Sequence, residues 1–420
     1  MLQEVPVKEK RLKDYAAVAG EDVVDEILQS VRPLKGARVL HVNATAFGGG
    51  VAELLATLVP LMRDAGLDAH WQVIEGAPEF FQVTKAFHNG LQGMDVSLTQ
   101  RDFDTFLHYN RLNAERLSTD WDFIILHDPQ PAAMARLVQE REQRPAGAAA
   151  GKPRWIWRCH IDLSSPNPVV RDFLRPWLEA YDAGIFTLRR YAGTGLQLPI
   201  IAEIPPSIDP LSPKNAAMSE EEARGIVGRL GVDTGRPLIT QVSRFDPWKD
   251  PLGVIDAFRL VRERVPGVQL AMVGSLAHDD PEGQLYYDKT KDHAGGDPDI
   301  HLYTNLDGVA DREVNAFQRV SQVILQKSLR EGFGLTVSEA LWKGTPVVGG
   351  NAGGIPIQID DGVCGYLVES VQEAAERATY LLQHPGEAAE MGRAGQEKVR
   401  RRFLSTRNLL DYLHLFQRLA

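Results

Sequence analysis

Short apolar runs recur along this chain, each followed by a polar or glycine-containing turn and then a helix-length segment. That alternation constrains the fold most, because strands separated by helices pair in parallel and need helices over both faces. In the first half the strand signals are Ala37–Asn43, Ala69–Ile74, Phe123–His127, Trp155–His160, Ala183–Thr187 and Ile200–Ile204. Gly48, Gly49 and Gly50 follow the first run, and Val51–Met62 then carries apolar residues at helical spacing. A strand, a glycine loop and a helix are the opening unit of a doubly wound α/β domain. Pro205 and Pro206 make a rigid break that is poor in backbone donors. A second α/β series follows, with strand signals at Pro237–Val242, Gln269–Val273, Val323–Gln326 and Pro346–Val348, and Leu367–Val368 closing the sheet. From about Gln372 the pattern is almost entirely helical, and Pro145–Gly151 reads as a surface loop. Two such halves imply a cleft between them, with ligands at the carboxyl ends of the strands.

A chain of 420 residues is too long for one ordinary core and sufficient for two domains. Its 44% hydrophobic and 24% charged residues are those of a globular protein. The net charge of -10 argues against nonspecific nucleic-acid binding. Two cysteines far apart, Cys159 and Cys364, suggest neither a disulfide framework nor a cysteine metal site. Met1–Arg11 is charged and lacks the apolar core of a signal peptide, and no apolar run reaches membrane-spanning length. The expectation is a cytoplasmic protein.

The richest local pattern is Glu331-Gly-Phe-Gly-Leu-Thr-Val-Ser-Glu339, two carboxylates eight positions apart around Gly332 and Gly334. If a helix starts near Leu335, Glu339 lies on its second turn and Glu331 in the loop before it. A glycine loop feeding a helix N-terminus is a ready anion site, since unpaired N–H groups and the helix dipole point outward. Acids beside such a site suit a ligand with both phosphate and hydroxyls, as a nucleotide sugar has. Taken singly the two glutamates would be a loop acid and a helix-surface acid.

Other polar clusters also follow strand signals. Arg244 and Lys249 share the loop Ser243–Asp250, where two cations suit a diphosphate, although a solvated loop with an Arg–Asp bridge would look the same. The spacing of Gly48–Gly50 is not that of a dinucleotide fingerprint, but three glycines permit close backbone approach to phosphate or sugar as well as a tight turn. His160, with Asp162 after it, ends a buried strand and is either structural or catalytic. His127-Asp128-Pro-Gln130 is a rigid loop whose acid and amide could hold sugar hydroxyls. His278, Asp279, Asp280 and Glu282 fit a turn or helix start better than a metal site. Gly353 and Gly354 form a further strand–helix turn, near enough to the acidic motif to line the same pocket.

These second-half motifs, with Gly-Thr-Pro-Val-Val348, resemble those of retaining glycosyltransferases of the GT-B fold, in the glycogen-synthase-like and sucrose-synthase-like group (glycosyltransferase family 4). HVNATAFGGGVAE, VIEG, FHNGLQG, HDPQPA, WIWRCHIDLS, PPSIDPLSPKN, QVSRFDPWKD and REVNAFQRVSQVILQKSLREGFGLTVSEALWKGTPVVG resemble the trehalose glycosyltransferring synthase family more closely, over residues 41 to about 349. The resemblance implies two Rossmann-like domains facing a central cleft, 1–208 on the acceptor side and 209–401 for the donor, with a C-terminal helix at about 402–420 packing back on the first. It implies transfer of glucose from ADP-, UDP- or GDP-glucose to free D-glucose, giving α,α-trehalose with retention and in a reversible reaction. Trehalose phosphorylase shares overlapping motifs, and a noncatalytic sugar-nucleotide sensor is a rival of another class.

Carried onto matching positions, Arg244 and Lys249 hold the diphosphate, Glu339 takes the ribose hydroxyls, and Glu331 lies near the donor glucose. The N–H groups around Gly334 and Leu335 face the donor's phosphate or sugar, and backbone near Asn305 and Leu306 belongs to the base pocket. His160 hydrogen-bonds the donor glucose at its 6-hydroxyl, and Gly48 and Gly49 let the first domain close. Arg244, Lys249, His160 and Glu331 form the catalytic set. Where many relatives have a Gly-x-Gly-Pro turn, this chain has Val273–Asp280. For the acceptor, the candidates are Glu75, His88, Asp128, Gln130 and Asp162, with Asp128 and His88 ranked first by loop context. No tightly bound cofactor, protein metal cluster, nucleic acid or membrane is expected. Magnesium could assist through the donor diphosphate, and a homodimer is a family-level expectation.

Overall fold

The structure, a computed structural model, describes residues 2–47, 49–142, 153–276 and 281–420. Gly48, the 145–151 loop and His278–Asp280 therefore lie outside the described residues. The chain divides into two compact units, Met1–Pro206 with Ser405–Ala420, and Ser207–Leu404.

The first unit is built on strands β1 (Gln3–Glu4), β2 (Arg38–Asn43), β3 (Asp68–Val73), β4 (Phe123–His127), β5 (Arg154–Cys159), β6 (Ala183–Phe186) and β7 (Ile200–Glu203). They lie in the order β1-β3-β2-β4-β5-β6-β7, all parallel except β1, which pairs antiparallel with β3. Every residue of β4 is buried, as expected of a parallel strand covered on both faces. One face is covered in part by the last helix of the chain, Ser405–Leu419. Its Leu409, Tyr412, Leu413 and Phe416 enter the core with Val39, Leu58, Met62 and Ile125. The Phe416 ring stacks 4.4 Å from Phe123, and Asn408 donates to the Pro205 carbonyl at 2.9 Å. Each of these apolar side chains contributes about 1.5–3 kcal/mol on burial, so the terminal helix belongs to the first unit although the whole second unit precedes it.

The second unit contains β8 (Leu238–Val242), β9 (Gln269–Val273), β10 (Ile300–Tyr303), β11 (Val323–Gln326), β12 (Val347–Gly350) and β13 (Gly365–Val368). Their order is β10-β9-β8-β11-β12-β13, all parallel. Two strands have no counterpart in the sequence reading. β1 is two exposed polar residues, and β10 is an edge strand whose His301 and Leu302 are only half-buried, so neither shows a strong apolar run.

The strand orders place one topological switch point between β2 and β4 and another between β8 and β11. There successive strand–helix connections leave in opposite directions and open a crevice at the carboxyl ends. Among the described residues no helix is long and apolar enough to cross a membrane.

Candidate active site

At the switch point of the second unit, the loop after β8 meets the loop after β11. Asp246 accepts hydrogen bonds from the backbone N–H groups of Trp248 and Lys249 at 2.9 and 3.1 Å, which shapes a single 3-10 turn, Pro247–Lys249. Gln241, inside β8, donates to the Lys249 carbonyl at 2.8 Å. So held, the Lys249 ammonium lies 2.5 Å from a Glu331 carboxylate oxygen, with both side chains largely buried. Ser328 donates to the same oxygen at 3.3 Å. Beneath this pair Lys327, itself buried, binds Asp250, the left-handed residue that caps the helix Pro251–Arg264. Arg244 is different: its side chain is 68% exposed and reaches Asp246 at 3.2 Å. The Arg–Asp bridge of the plainer sequence reading therefore exists, but it involves Arg244 alone and leaves that guanidinium in solvent.

The helix Leu335–Trp342 starts where the sequence places it, capped by Gly334 at φ +83°, a conformation side chains avoid. Glu331 stays in the loop and Glu339 sits on the second turn. Glu339 is 2% exposed, 3.4 Å from the Gln318 amide and 3.7 Å from the Lys214 ammonium. Its burial excludes the helix-surface reading. Gly353 and Gly354 pack directly under the loop. A Cβ on Gly353 would lie 1.5 Å from the Glu331 carbonyl oxygen, and one on Gly354 would lie 2.7 Å from the Phe333 Cα. Gln358 then staples the turn, donating to the carbonyls of Phe333 and Gly354 while accepting from Ser338. Asn305 and Leu306 open a short 3-10 turn after β10; the Asn305 side chain accepts from the Leu276 N–H at 2.8 Å, and Leu306 is exposed.

The switch point of the first unit carries a different chemistry. Asp128 follows β4 in the left-handed region, at φ +63°. Its carboxylate accepts from the His160 N–H at 2.8 Å, and Trp157 donates to its carbonyl. Burial pushes the Asp128 carboxyl up to about 6. Three imidazoles form a row: His41 Nδ1 is 3.0 Å from His127 Nε2, and His127 Nδ1 is 3.3 Å from His160 Nε2. Burial lowers His41 to about 3 and takes His127 and His160 well below the usual histidine range, so all three are neutral near pH 7. Arg158 is fully buried beside His127 and His160. Sequence reading passed over His41 and Arg158 because both stand inside strands where neighbours are apolar; the signal was there, since polar residues in such runs require partners.

The other first-unit candidates scatter. Gly49 begins the helix Gly49–Ala65 at φ +79°. Gln130 offers its carbonyl to Asn110, and Asp162 caps a turn through the Ser164 N–H. His88 corrects an expectation: it lies in the last turn of the helix Pro78–Leu91, next to Gln92, and not in a loop. Phe80, Val83, Thr84, Phe87 and Leu91 supply the helical periodicity that decides this. Glu75 binds Arg116 and, with Thr45, Phe47, Gly76, Phe81 and Tyr109, lines a concavity of about 550 Å³ beside the loop after β2. His88, Asp128, Gln130 and Asp162 are not part of its wall. Among the described residues no group of three or more His, Cys, Asp or Glu is placed to hold a metal, and Cys159 and Cys364 are free and buried.

Two parallel-sheet units with charged loops at their switch points match solved structures across nearly the whole chain. A UDP-forming α,α-trehalose-phosphate synthase from Burkholderia xenovorans aligns at a TM-score of 0.71 and 18% identity, covering 91% of this chain and 99% of that one. Anabaena HepE, solved in complex with UDP and glucose, aligns at a TM-score of 0.67 and 16% identity, covering 91% and 100%. Residues 225–398 match the family described as glycosyl transferases group 1, and residues 41–193 the family described as trehalose synthase, N-terminal domain. The fold and these matches define a glycosyltransferase of the GT-B class. The trehalose synthase of Rubrobacter xylanophilus is 53% identical over 100% of this chain and 99% of its own length. That of Thermococcus litoralis is 50% identical over 97% and 96%. The chain belongs to the trehalose synthase family, and its chemistry is glycosyl transfer in trehalose metabolism.

Proposed function

We propose that this enzyme transfers glucose from a nucleoside diphosphate glucose to free D-glucose, forming α,α-trehalose with retention and in a reversible reaction. The observation that carries the reading is the Lys249–Glu331 pair at the second unit's switch point, in a chain about half identical to trehalose synthases along its whole length. A lysine held by one carboxylate keeps donors for phosphate oxygens and stabilises the charge that develops on a departing diphosphate. Exposed Arg244 adds a mobile fork to the same leaving group.

Glu339 takes the ribose hydroxyls, and the N–H groups at Gly334 and Leu335 meet the donor phosphate or sugar. Glu331 orients Lys249 and reaches the donor glucose, whereas Asn305 and Leu306 border the base. His160 hydrogen-bonds the transferred glucose, and Asp128 fixes the His160 backbone. Retention follows from front-face attack, with the leaving phosphate taking the acceptor's proton. No covalent glycosyl-enzyme is involved, because both glutamates serve donor binding. Magnesium would assist through the donor diphosphate, and the proposed active form is a cytoplasmic homodimer.

The test is incubation with glucose and ADP-, UDP- and GDP-glucose, with the disaccharide and its linkage identified. α,α-Trehalose from at least one donor is expected, together with regeneration of the NDP-glucose from trehalose and the nucleoside diphosphate. Glucose 1-phosphate from trehalose and inorganic phosphate, without trehalose formation from any donor, would replace this reading by a phosphorylase.

A further inference from the structure

The row His41–His127–His160 runs from the core of the first unit to its carboxyl-end crevice. His160 is half-buried, and its Nε2 faces His127, leaving Nδ1 as the nitrogen turned away from the row. At the inner end His41 Nε2 is buried with no hydrogen-bond partner among the described residues. Among the described residues all three guanidinium nitrogens of Arg158 and the Tyr412 hydroxyl are also buried without partners, and the two residues are close enough for each to perturb the other's ionisation. The Tyr412 ring stands edge-on to His41 with centroids 5.8 Å apart.

We propose that this inner end fixes the tautomer of all three rings, so that His160 presents Nδ1–H to the sugar as a hydrogen-bond donor, with His41 and His127 acting as positioning residues. The derivation starts at His41. An N–H on its Nε2 would be a buried donor with no acceptor among the described residues, and orphaned buried N–H groups are rarer than under-satisfied acceptors. His41 therefore carries its proton on Nδ1 and donates to His127 Nε2. His127, now accepting at Nε2, carries its proton on Nδ1 and donates to His160 Nε2. His160 accepts at Nε2 and carries its own proton on Nδ1. Each neutral ring keeps one proton and none crosses the row.

The charged and titratable groups that bear on the row are Arg158 and Cys159 from β5, Asp128 after β4, and Tyr412 from the terminal helix. Arg158 opposes protonation of both His127 and His160. The role of the outward N–H rests on the glucosyl-transfer reading; the tautomer of the row does not.

The test uses the intact protein labelled with 15N in its histidines, with His41, His127 and His160 assigned by single substitutions. Two-bond and three-bond 15N–1H correlations identify which ring nitrogen bears the proton. The expected result is three neutral rings protonated at Nδ1, with nitrogen shifts unchanged from pH 8 to pH 5.5. His127→Asn, whose amide nitrogen can replace Nδ1, should preserve the His160 tautomer, while His127→Phe should convert it to a mixture that titrates. In the glucosyl-transfer assay kcat should fall at least tenfold in His127→Phe and recover substantially in His127→Asn. A wild-type His160 protonated at Nε2, or titrating between pH 6 and 7, overturns the proposal even if the variants fail to fold. Nδ1 protonation in a protein that makes no trehalose would leave the row intact and remove only the assigned reaction.

Discussion

The two units place similar parts at their switch points and treat charge in opposite ways. In the second unit the cations are paired: Lys249 with Glu331, Lys327 with Asp250, Arg244 with Asp246. In the first, the Arg158 guanidinium is buried without a hydrogen bond among the described residues, and three imidazoles are kept neutral by burial. Paired cations can redirect donors to an arriving polyanion, because the carboxylate holds them in place beforehand. A row of neutral rings has no net charge to offer and instead fixes the direction of a hydrogen bond. The contrast suits a diphosphate in one unit and sugar hydroxyls in the other.

The sharpest way to break that contrast is to remove a cation. Lys249→Ala should lower kcat by about 100- to 1,000-fold, the usual scale for losing one charge-stabilising donor, and Lys249→Arg should recover part of it. A loss below tenfold, measured with donor saturating, would mean that Arg244 alone manages the leaving group.

Glycine substitutions sharpen the comparison at the next level. Gly353→Ala meets both a positive φ of 59° and backbone 1.5 Å away, whereas Gly49→Ala meets only a φ of 79° in open space. Gly49→Ala should cost about 1–2 kcal/mol, the left-handed penalty alone. Gly353→Ala should cost more than about 3 kcal/mol, because the Glu331 loop must move. Denaturant unfolding measures both, and equal costs would contradict the packing of the second switch point.

Within a pH unit of neutrality, the smallest expected effect is in the pH dependence of stability. His41, lowered to about 3, is neutral when folded, while the unfolded ring protonates near 6.5. Its contribution is thus complete above pH 6.5 and is lost as pH falls toward 3, at no more than about 1.4 kcal/mol per pH unit. Asp128 acts with the opposite sign. Raised to about 6, it contributes stability at acid pH that is lost as pH rises from about 4 to 6. Thermal melts of His41→Gln should therefore show a shallower acid decline than wild type, and an unchanged slope would show that His41 is not buried neutral.

Much of this was legible beforehand because it depends on local pattern. The parallel strands announce themselves as apolar runs, and the turn Glu331–Leu335 is written in glycines that a left-handed cap requires. His88 departs from the loop expected for it because the buried Phe80, Val83 and Phe87 hold a helix through it. Edge strands β1 and β10 escaped notice because half-exposed strands need few apolar residues.

By itself the sequence determined the α/β class and the acidic loop before Leu335, since each follows from spacing, backbone permissiveness or burial along one stretch of chain. Only the tertiary structure decided which cation meets which acid. Lys249 and Glu331 stand 82 residues apart and come within 2.5 Å because β8 and β11 are neighbours in the sheet. Likewise His41, His127 and His160 become one row because β2, β4 and β5 lie side by side, a pairing that no local pattern encodes.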